Sequence, residues 1–260
     1  MTSLLTNASA MTALQTLSST NKNLGVTQGR IATGQRVATA SDNAAYWSIA
    51  TSMRTQTGAL SAVQDALGLG AAILDTASSA LEEAIDKTKE IVNKYVARAT
   101  PGTDTAAIDA EITQLKAQVV SIAKNADFQG VNMLETGGTA AAIVTGYQPG
   151  AAPTTMSVAA YDLEAALTAA TDATTVDTAL KAMQTAAATI GAAKTRVDSQ
   201  KSFTSKLIDS IDRGVGQLVD ADMNKESARL AALQTQQQLG IQALSIANSS
   251  SQSLLSLFRG

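Results

Sequence analysis

The sequence contains 260 residues, of which 45% are hydrophobic but only 3% aromatic, and its 19 Lys and Arg against 22 Asp and Glu give a net charge of −3. It has no Cys and no His, which excludes disulfides, thiolate or imidazole catalysis and the usual zinc ligands. It also lacks a basic run, so the electrostatic footprint of a nucleic-acid-binding protein is missing. Its apolar residues are mostly Ala, Leu, Ile and Val, which predicts a mainly α fold without an active site, cofactor or metal.

The N-terminal segment does not resemble a cleaved secretory signal, because the first charged residue is Lys22 and residues 1–11 are too polar. No stretch approaches 18 apolar residues, so we expect no membrane-spanning helix and no membrane partner. The protein is therefore expected either in the cytoplasm or outside the cell, after export by a route that cleaves no signal peptide.

Both ends of the chain carry the narrow apolar seam of a coiled coil, with residues recurring at steps of three and four. The N-terminal seam comprises Ala10, Leu14, Leu17, Asn21, Leu24, Gln28 and Ile31. The C-terminal seam comprises Leu230, Leu233, Gln237, Gly240, Leu244, Ala247, Ser251, Leu254 and Phe258. Neither seam can bury itself alone, so we expect the two ends to pair and to form an assembly surface. The polar members Asn21, Gln28 and Gln237 either fix the register of the pair or face solvent.

Helices dominate the first half of the chain. The first helix is predicted over about 4–32, ending at Gly34. Ser41 and Asp42 are placed to cap a long second helix, which ends at the breaker formed by residues 100–102. Asp104 can cap a third helix to about residue 126. The second helix has a regular seam of its own: Ile49, Met53, Gln56, Leu60, Val63, Leu67, Gly70, Leu74, Ala77, Leu81, Ala84, Thr88, Ile91 and Tyr95.

The second half begins with short runs of β-forming residues at 141–147 and 154–161, which predict a β-hairpin followed by a short helix at 163–170. Thr174 or Thr175 is placed to cap the last helical segment, which continues to Phe258 with a break near 220–224. The acidic residues Asp220, Asp222 and Glu226 could attract a cation there, but we expect them to cap the restarting helix and complement its dipole. The predicted architecture is an elongated rod with terminal coiled-coil helices, a helical bundle and a small β-hairpin.

Three motifs in order resemble those of bacterial flagellins. They are RIATGQRV at 30–37 followed by SDNAA at 41–45, FQGV at 128–131, and QQLG at 237–240 followed by AL at 243–244 and AN at 247–248. The resemblance covers roughly 1–134 and 161–260, and the SDNAAYWSIA stretch at 41–50 is most similar to rhizobial and related alphaproteobacterial flagellins.

The resemblance implies a structural subunit of the extracellular flagellar filament, which is exported unfolded and polymerises at the filament tip through its terminal helices. It implies an inner coiled-coil domain from 1–44 and 220–260, a helical bundle from 45–136 and 161–219, and a short variable hairpin region at 137–160 without large outer domains. The implied partners are copies of the same chain or sister flagellins, an export chaperone, the export apparatus, and hook-junction and cap proteins.

Two segments correspond to stretches that immune receptors recognise in other flagellins. The plant-receptor stretch covers 29–50 and includes Arg30, Gly34, Arg36, Ser41, Asp42 and Asn43. Ser41 stands where the immunogenic pattern has Lys and Asn43 where it has Asp, so we expect poor recognition. The animal-receptor segment contains Lys87, Lys89 and Glu90, with Lys in both places where the pattern has Arg, so we expect weakened recognition there as well. The alternative interpretation is structural, with capping in the first stretch and a solvated helix face in the second.

A cytoplasmic coiled-coil signalling or scaffold module is the alternative function, because Ala, Gln, Ser and Glu heptads also occur in that class. Such a module would form discrete oligomers with protease-resistant termini. An enzyme ranks third, since no polar constellation stands out.

Overall fold

The computed structural model describes residues 7–257 of the chain, and the side chains of residues 7–249. Six helices lie in this range: α1 Ala8–Thr33, α2 Ala44–Arg98, α3 Thr105–Asn125, α4 Leu163–Thr168, α5 Ala173–Val219 and α6 Met223–Leu257. Four strands form two antiparallel pairs: β1 Asp127–Phe128 with β2 Val131–Asn132, and β3 Ala141–Gly146 with β4 Thr154–Val158. The predicted mainly α fold with one principal hairpin is confirmed.

The chain divides into two compact units. Unit 1 comprises Met1–Arg54 and Asp212–Gly260, and unit 2 comprises Thr55–Ile211. Unit 1 thus draws on both ends of the sequence. The division into an inner coiled-coil domain, a helical bundle and a hairpin region stays a prediction.

The core of unit 2 is built on the seam of α2. From Leu60 to Ile91 every predicted seam position is buried, because steps of three and four keep the residues on one helix face. Within unit 2, α2 and α5 run antiparallel: Lys194 Nζ pairs with Asp75, and Met183 Sδ accepts a hydrogen bond from Thr88 Oγ1 at 3.5 Å. The start of the predicted seam is wrong, because Ile49 is 46% exposed whereas its neighbour Ala50 is 1% exposed.

The β3–β4 hairpin packs its alternate residues into the same core. Ile143 lies opposite Met156 and Ala141 opposite Val158, and all four side chains are buried. The strands end at Gly146 and Val158, a few residues short of the predicted runs. β1 and β2 are joined by Gln129 and Gly130, both with positive φ (53° and 82°), so the two strands form a miniature hairpin.

The N-caps of α3 and α5 test two of the predictions. Asp104 caps α3 through bonds from the Ala106 and Ala107 amides, as predicted. At α5 the prediction of Thr174 or Thr175 is wrong, because Asp172 Oδ1 accepts from the Thr175 amide at 2.8 Å. Thr175 Oγ1 in turn accepts from the Asp172 amide at 3.0 Å, which completes a reciprocal capping box.

Helix α2 contains an 18-residue window that is long and apolar enough to cross a membrane by composition, which corrects the expectation that no such stretch exists. Its many Ala, Leu, Ile and Val residues raise the hydropathy of the window. The core helix of a soluble protein passes the same test, so the window alone is weak support for a membrane span.

The contact between Gly70 and the hairpin yields a stability prediction. A Cβ atom at Gly70 would lie 2.5 Å from Ile143 Cγ2, so Gly70→Ala must displace the hairpin from α2. We expect a loss of about 1–3 kcal/mol in the free energy of unfolding, measured by urea denaturation.

Gly68→Ala is the matched control, because no atom of the described residues lies within 4 Å of the added methyl group. The same helix should then gain up to about 1 kcal/mol from the better propensity of Ala. Equal stabilities of the two variants would show that close packing of the hairpin against Gly70 does not contribute to the stability of the fold.

Candidate functional site

The candidate site is the pairing of α1 with α6 in unit 1. Side-chain hydrogen bonds at three levels show that the helices run antiparallel. Asn7 Nδ2 donates to the Ala247 carbonyl at 2.9 Å, Gln237 Nε2 donates to Asn21 Oδ1 at 2.8 Å, and Arg30 Nη1 lies 3.4 Å from Glu226 Oε1. The two ends of the chain therefore meet along helices of 26 and 35 residues, as the sequence predicted.

The C-terminal seam packs against α1 as predicted. Leu233 is buried, and Leu230, Gln237, Gly240, Leu244 and Ala247 are half-buried. Gly240 allows a close approach, because a Cβ atom there would lie 3.2 Å from Leu17 Cδ1 and 3.9 Å from Leu17 Cβ. Ser251 and Leu254 belong to α6 but lie outside the described side chains, and Phe258 lies outside the described residues.

The N-terminal seam is partly buried within the chain. Ala10, Leu17, Leu24 and Ile31 are half-buried, whereas Leu14, Asn21 and Gln28 are exposed, and Asn21 accepts the hydrogen bond from Gln237. A role of these residues in assembly stays a prediction. Thr20 and Thr27 are buried. The stepping from Ala10 is three then four, whereas the prediction took four then three. The hydrophobic pattern did not reveal these positions because Thr counts as polar. In the structure Thr20 Oγ1 donates a hydrogen bond to the Thr16 carbonyl at 2.9 Å, which leaves its methyl group free to pack.

Backbone hydrogen bonds join the residues that follow α1 to the residues that precede α6. The Arg36 amide donates to the Val219 carbonyl at 2.6 Å and the Ala221 amide to the Gly34 carbonyl at 2.9 Å, so Gln35 and Asp220 form an antiparallel bridge. The Arg36 guanidinium donates to the Leu218 carbonyl at 2.8 Å and lies 5.7 Å from the ring centroid of Tyr46. Gly34 ends α1 with a φ of 70°, as predicted.

The segment before α2 corrects another cap. Asn43, not Ser41 or Asp42, caps α2, since Asn43 Oδ1 accepts from the Tyr46 amide at 3.1 Å. Asp42 Oδ2 instead accepts from the amides of Ala38 and Thr39 and from Thr39 Oγ1, at 2.9–3.2 Å. These bonds, chiefly those from Thr39, lower the pKa of Asp42 because they favour the charged carboxylate.

The restart at α6 follows the prediction. Asp222 Oδ1 accepts from the amides of Asn224 and Lys225, and Glu226 lies in the first turn, where the helix dipole favours an acid. Glu226 is only 6% exposed, and its Oε2 and the Nε of Arg30 are buried without a hydrogen-bond partner among the described residues.

Apolar side chains remain exposed on the outer faces of the same helices. Leu14 is 60% exposed and Ile246 69%, and Met11, Val26, Leu239 and Ile241 are also exposed. Apolar surface that the chain leaves open is a surface for association rather than for chemistry. Among residues 7–257, no group of three or more acidic, His or Cys side chains could hold a metal ion.

The segment with Lys87, Lys89 and Glu90 lies on a solvated face of α2. Lys87 pairs with Glu90 at 3.1 Å and Lys89 with Asp86 at 2.8 Å, each three residues apart. This geometry accounts for the residues structurally, and recognition by a receptor stays a prediction.

Comparison with known protein families gives a match for each end of the chain. Residues 4–139 match the bacterial flagellin N-terminal helical region and residues 173–258 the bacterial flagellin C-terminal helical region. Only 140–172, which carries the hairpin and α4, lies between the two matches. The C-terminal match begins at 173 rather than at 161.

Full-length relatives agree. The chain is 52% identical over 282 residues to a flagellin of Brucella melitensis biotype 1 and 44% identical over 320 residues to flagellin C of Rhizobium meliloti strain 1021, covering all of both chains in each case. A crystal structure of Bacillus cereus flagellin is 20% identical with a TM-score of 0.38, covering 64% of this chain and 94% of the other. With both terminal regions and full-length relatives matched, the chain belongs to the bacterial flagellin family.

Proposed function

We propose that this flagellin polymerises into the extracellular filament for swimming motility through the paired helices α1 and α6. The observation that carries the proposal is the apolar surface left open on that pair by Met11, Leu14, Leu239, Ile241 and Ile246. A contact between unlike surfaces of identical subunits that does not close generates an open helical polymer. Membership of the flagellin family makes the chain a structural filament subunit, and its role is mechanical rather than enzymatic.

Export fits the same helices. Most of the stability of a helix in a protein comes from packing against its neighbours, so α1 and α6 can travel as extended chain and gain order on docking at the tip. The export apparatus, a chaperone on the C-terminal region, and hook-junction and cap proteins are the partners that this route requires. The assignment to the extracellular filament depends on this route. The alternative of a cytoplasmic coiled-coil scaffold is not favoured, because both chain ends match flagellin regions.

Polymerisation can be tested on the open apolar surface. Leu14→Ser removes a leucine that is 60% exposed, so the helical content of the monomer should not change. Burial of one leucine contributes about 1.5–3 kcal/mol, so we expect seeded elongation to slow by at least about tenfold. Elongation is followed by electron microscopy after addition of filament seeds and a kosmotropic salt.

Gln15→Ser is the matched control, because Gln15 is also exposed on α1 but carries no large apolar group. It should elongate like the unmodified chain. If the unmodified chain forms only small discrete oligomers, or if Leu14→Ser elongates normally, the proposal fails.

The lowered pKa of Asp42 leads to a pH prediction for the segment before α2. Stabilisation by its carboxylate is present above the ordinary pKa of an aspartate and is lost as the pH falls through the lowered value in the folded chain. The amides of Ala38 and Thr39 should therefore be protected from hydrogen exchange at neutral pH and lose protection in acid, after correction for intrinsic rates.

Asp42→Ala should remove this protection at every pH, whereas Ser41→Ala should keep it. Protection of the two amides that persists in Asp42→Ala would contradict the assigned hydrogen bonds.

We further propose that residues 29–50 are a poor ligand for plant immune receptors. Ser41 is neutral and Asn43 is held as the cap of α2, so neither supplies the charge of the immunogenic pattern. A peptide of residues 29–50 should give little or no oxidative burst in plant tissue. The same peptide with Ser41→Lys and Asn43→Asp should regain activity, and a strong burst from the unmodified peptide would refute the proposal.

A further inference from the structure

We propose that the pair formed by the half-buried Arg30 and the buried Glu226 sets the register of α1 against α6, and that its role is to select one alignment rather than to stabilise the helices. The inference rests on the proposed function, since register matters where paired ends must present one surface to each neighbouring subunit.

The sevenfold repeat of the seam determines its alignment only weakly. On α1, Ala10, Leu17, Leu24 and Ile31 recur every seven residues. On α6, Leu230, Gln237 and Leu244 form one sevenfold series, and Leu233, Gly240 and Ala247 form another. A shift of one helix by seven residues, about 10 Å along the axis, therefore returns seam positions to seam positions, with Leu233 or Ala247 in place of Gly240 beside Leu17.

The Arg30–Glu226 pair distinguishes the native alignment from those shifted by seven residues. After a shift of seven residues in one direction Arg30 would face Leu233, and after a shift of seven residues in the other direction Glu226 would face position 23 of α1. An ionised side chain buried without its partner costs several kcal/mol, which far exceeds the difference between two apolar contacts. The native alignment is thus favoured by what the alternatives leave unpaired.

The geometry of the pair argues against a stabilising role. Its single contact, Arg30 Nη1 to Glu226 Oε1, is long at 3.4 Å. Arg30 Nε and Glu226 Oε2 are shielded from solvent and form no hydrogen bond within the described part of the chain, and Glu226 is more than nine-tenths buried. A buried pair that recovers so little of its desolvation cost contributes little net stability, and an apolar pair in its place is neutral or better.

The rival determinants of register are the backbone bridge between residues 34–36 and 219–221 and the hydrogen bond from Gln237 to Asn21. Substitution of Arg30 and Glu226 leaves both in place. An apolar pair at these two positions therefore separates the two explanations.

The absence of cysteine from the sequence allows a direct measurement of register. A Cβ atom added at Gly240 would lie 3.9 Å from Leu17 Cβ, which matches the Cβ separation of a disulfide. Leu17→Cys is combined in turn with Gly240→Cys for the native alignment, and with Leu233→Cys or Ala247→Cys for shifts of seven residues. Each full-length double variant is oxidised after addition of filament seeds and a kosmotropic salt, because α1 and α6 are proposed to gain order on docking, and the intramolecular crosslink is quantified by its electrophoretic mobility.

With the native pair, the Leu17→Cys, Gly240→Cys crosslink should exceed both shifted crosslinks by at least about tenfold, as a buried unpaired charge requires. In a background of Arg30→Met and Glu226→Leu the total crosslinking should persist, and the native preference should fall to about threefold or less. An unchanged preference would assign register to the backbone bridge or the hydrogen bond from Gln237 to Asn21 and overturn the proposal. Loss of all crosslinks would show that the pair provides stability instead, and would overturn it too.

Seeded polymerisation of the unmodified chain is measured in parallel. Filaments formed without a register preference would refute this inference and leave the proposed function intact. A register preference in a chain that forms no filaments would refute the proposed function instead.

Discussion

The antiparallel contact between α1 and α6 is the interaction on which the candidate site depends. It brings residues more than 190 positions apart into one small domain and aligns the segments that enter and leave it, so that Gln35 can bridge to Asp220. It also determines which apolar side chains are used inside the chain and which stay open. Leu233 is covered by the pairing, whereas Leu14 and Ile246 are left for another molecule.

Much of the fold was predictable because long helices repeat their signal. In α2 the apolar steps recur so often that one error at Ile49 did not disturb the rest, and the seam from Leu60 to Ile91 is buried as expected. Cap residues were less predictable, since neighbouring side chains of the same chemistry compete for one helix end. Asn43 prevailed over Asp42, and Asp172 over Thr174 and Thr175, because the local turn geometry decides which oxygen reaches the free amides.

The candidate site was predictable in outline but not in its polar detail. Sequence periodicity identified the paired ends and most of the C-terminal seam. It assigned Leu14 to the N-terminal seam and overlooked Thr20, since a hydrophobicity pattern cannot see a hydroxyl that bonds to its own helix. It could not join Arg30 to Glu226 either, because the pairing of distant charges follows only from the alignment of two helices.

The buried threonines of α1 have a consequence for the chain before its ends have paired. Leucine or valine at positions 20 and 27 would expose a continuous hydrophobic surface on α1 whenever the two helices are separated, and such surfaces promote aggregation. Thr20 and Thr27 offer a methyl group to α6 when the helices meet, yet a hydroxyl to water when they are apart. Thr20 and Thr27 thereby help the N-terminal segment to stay soluble before α1 has paired with α6.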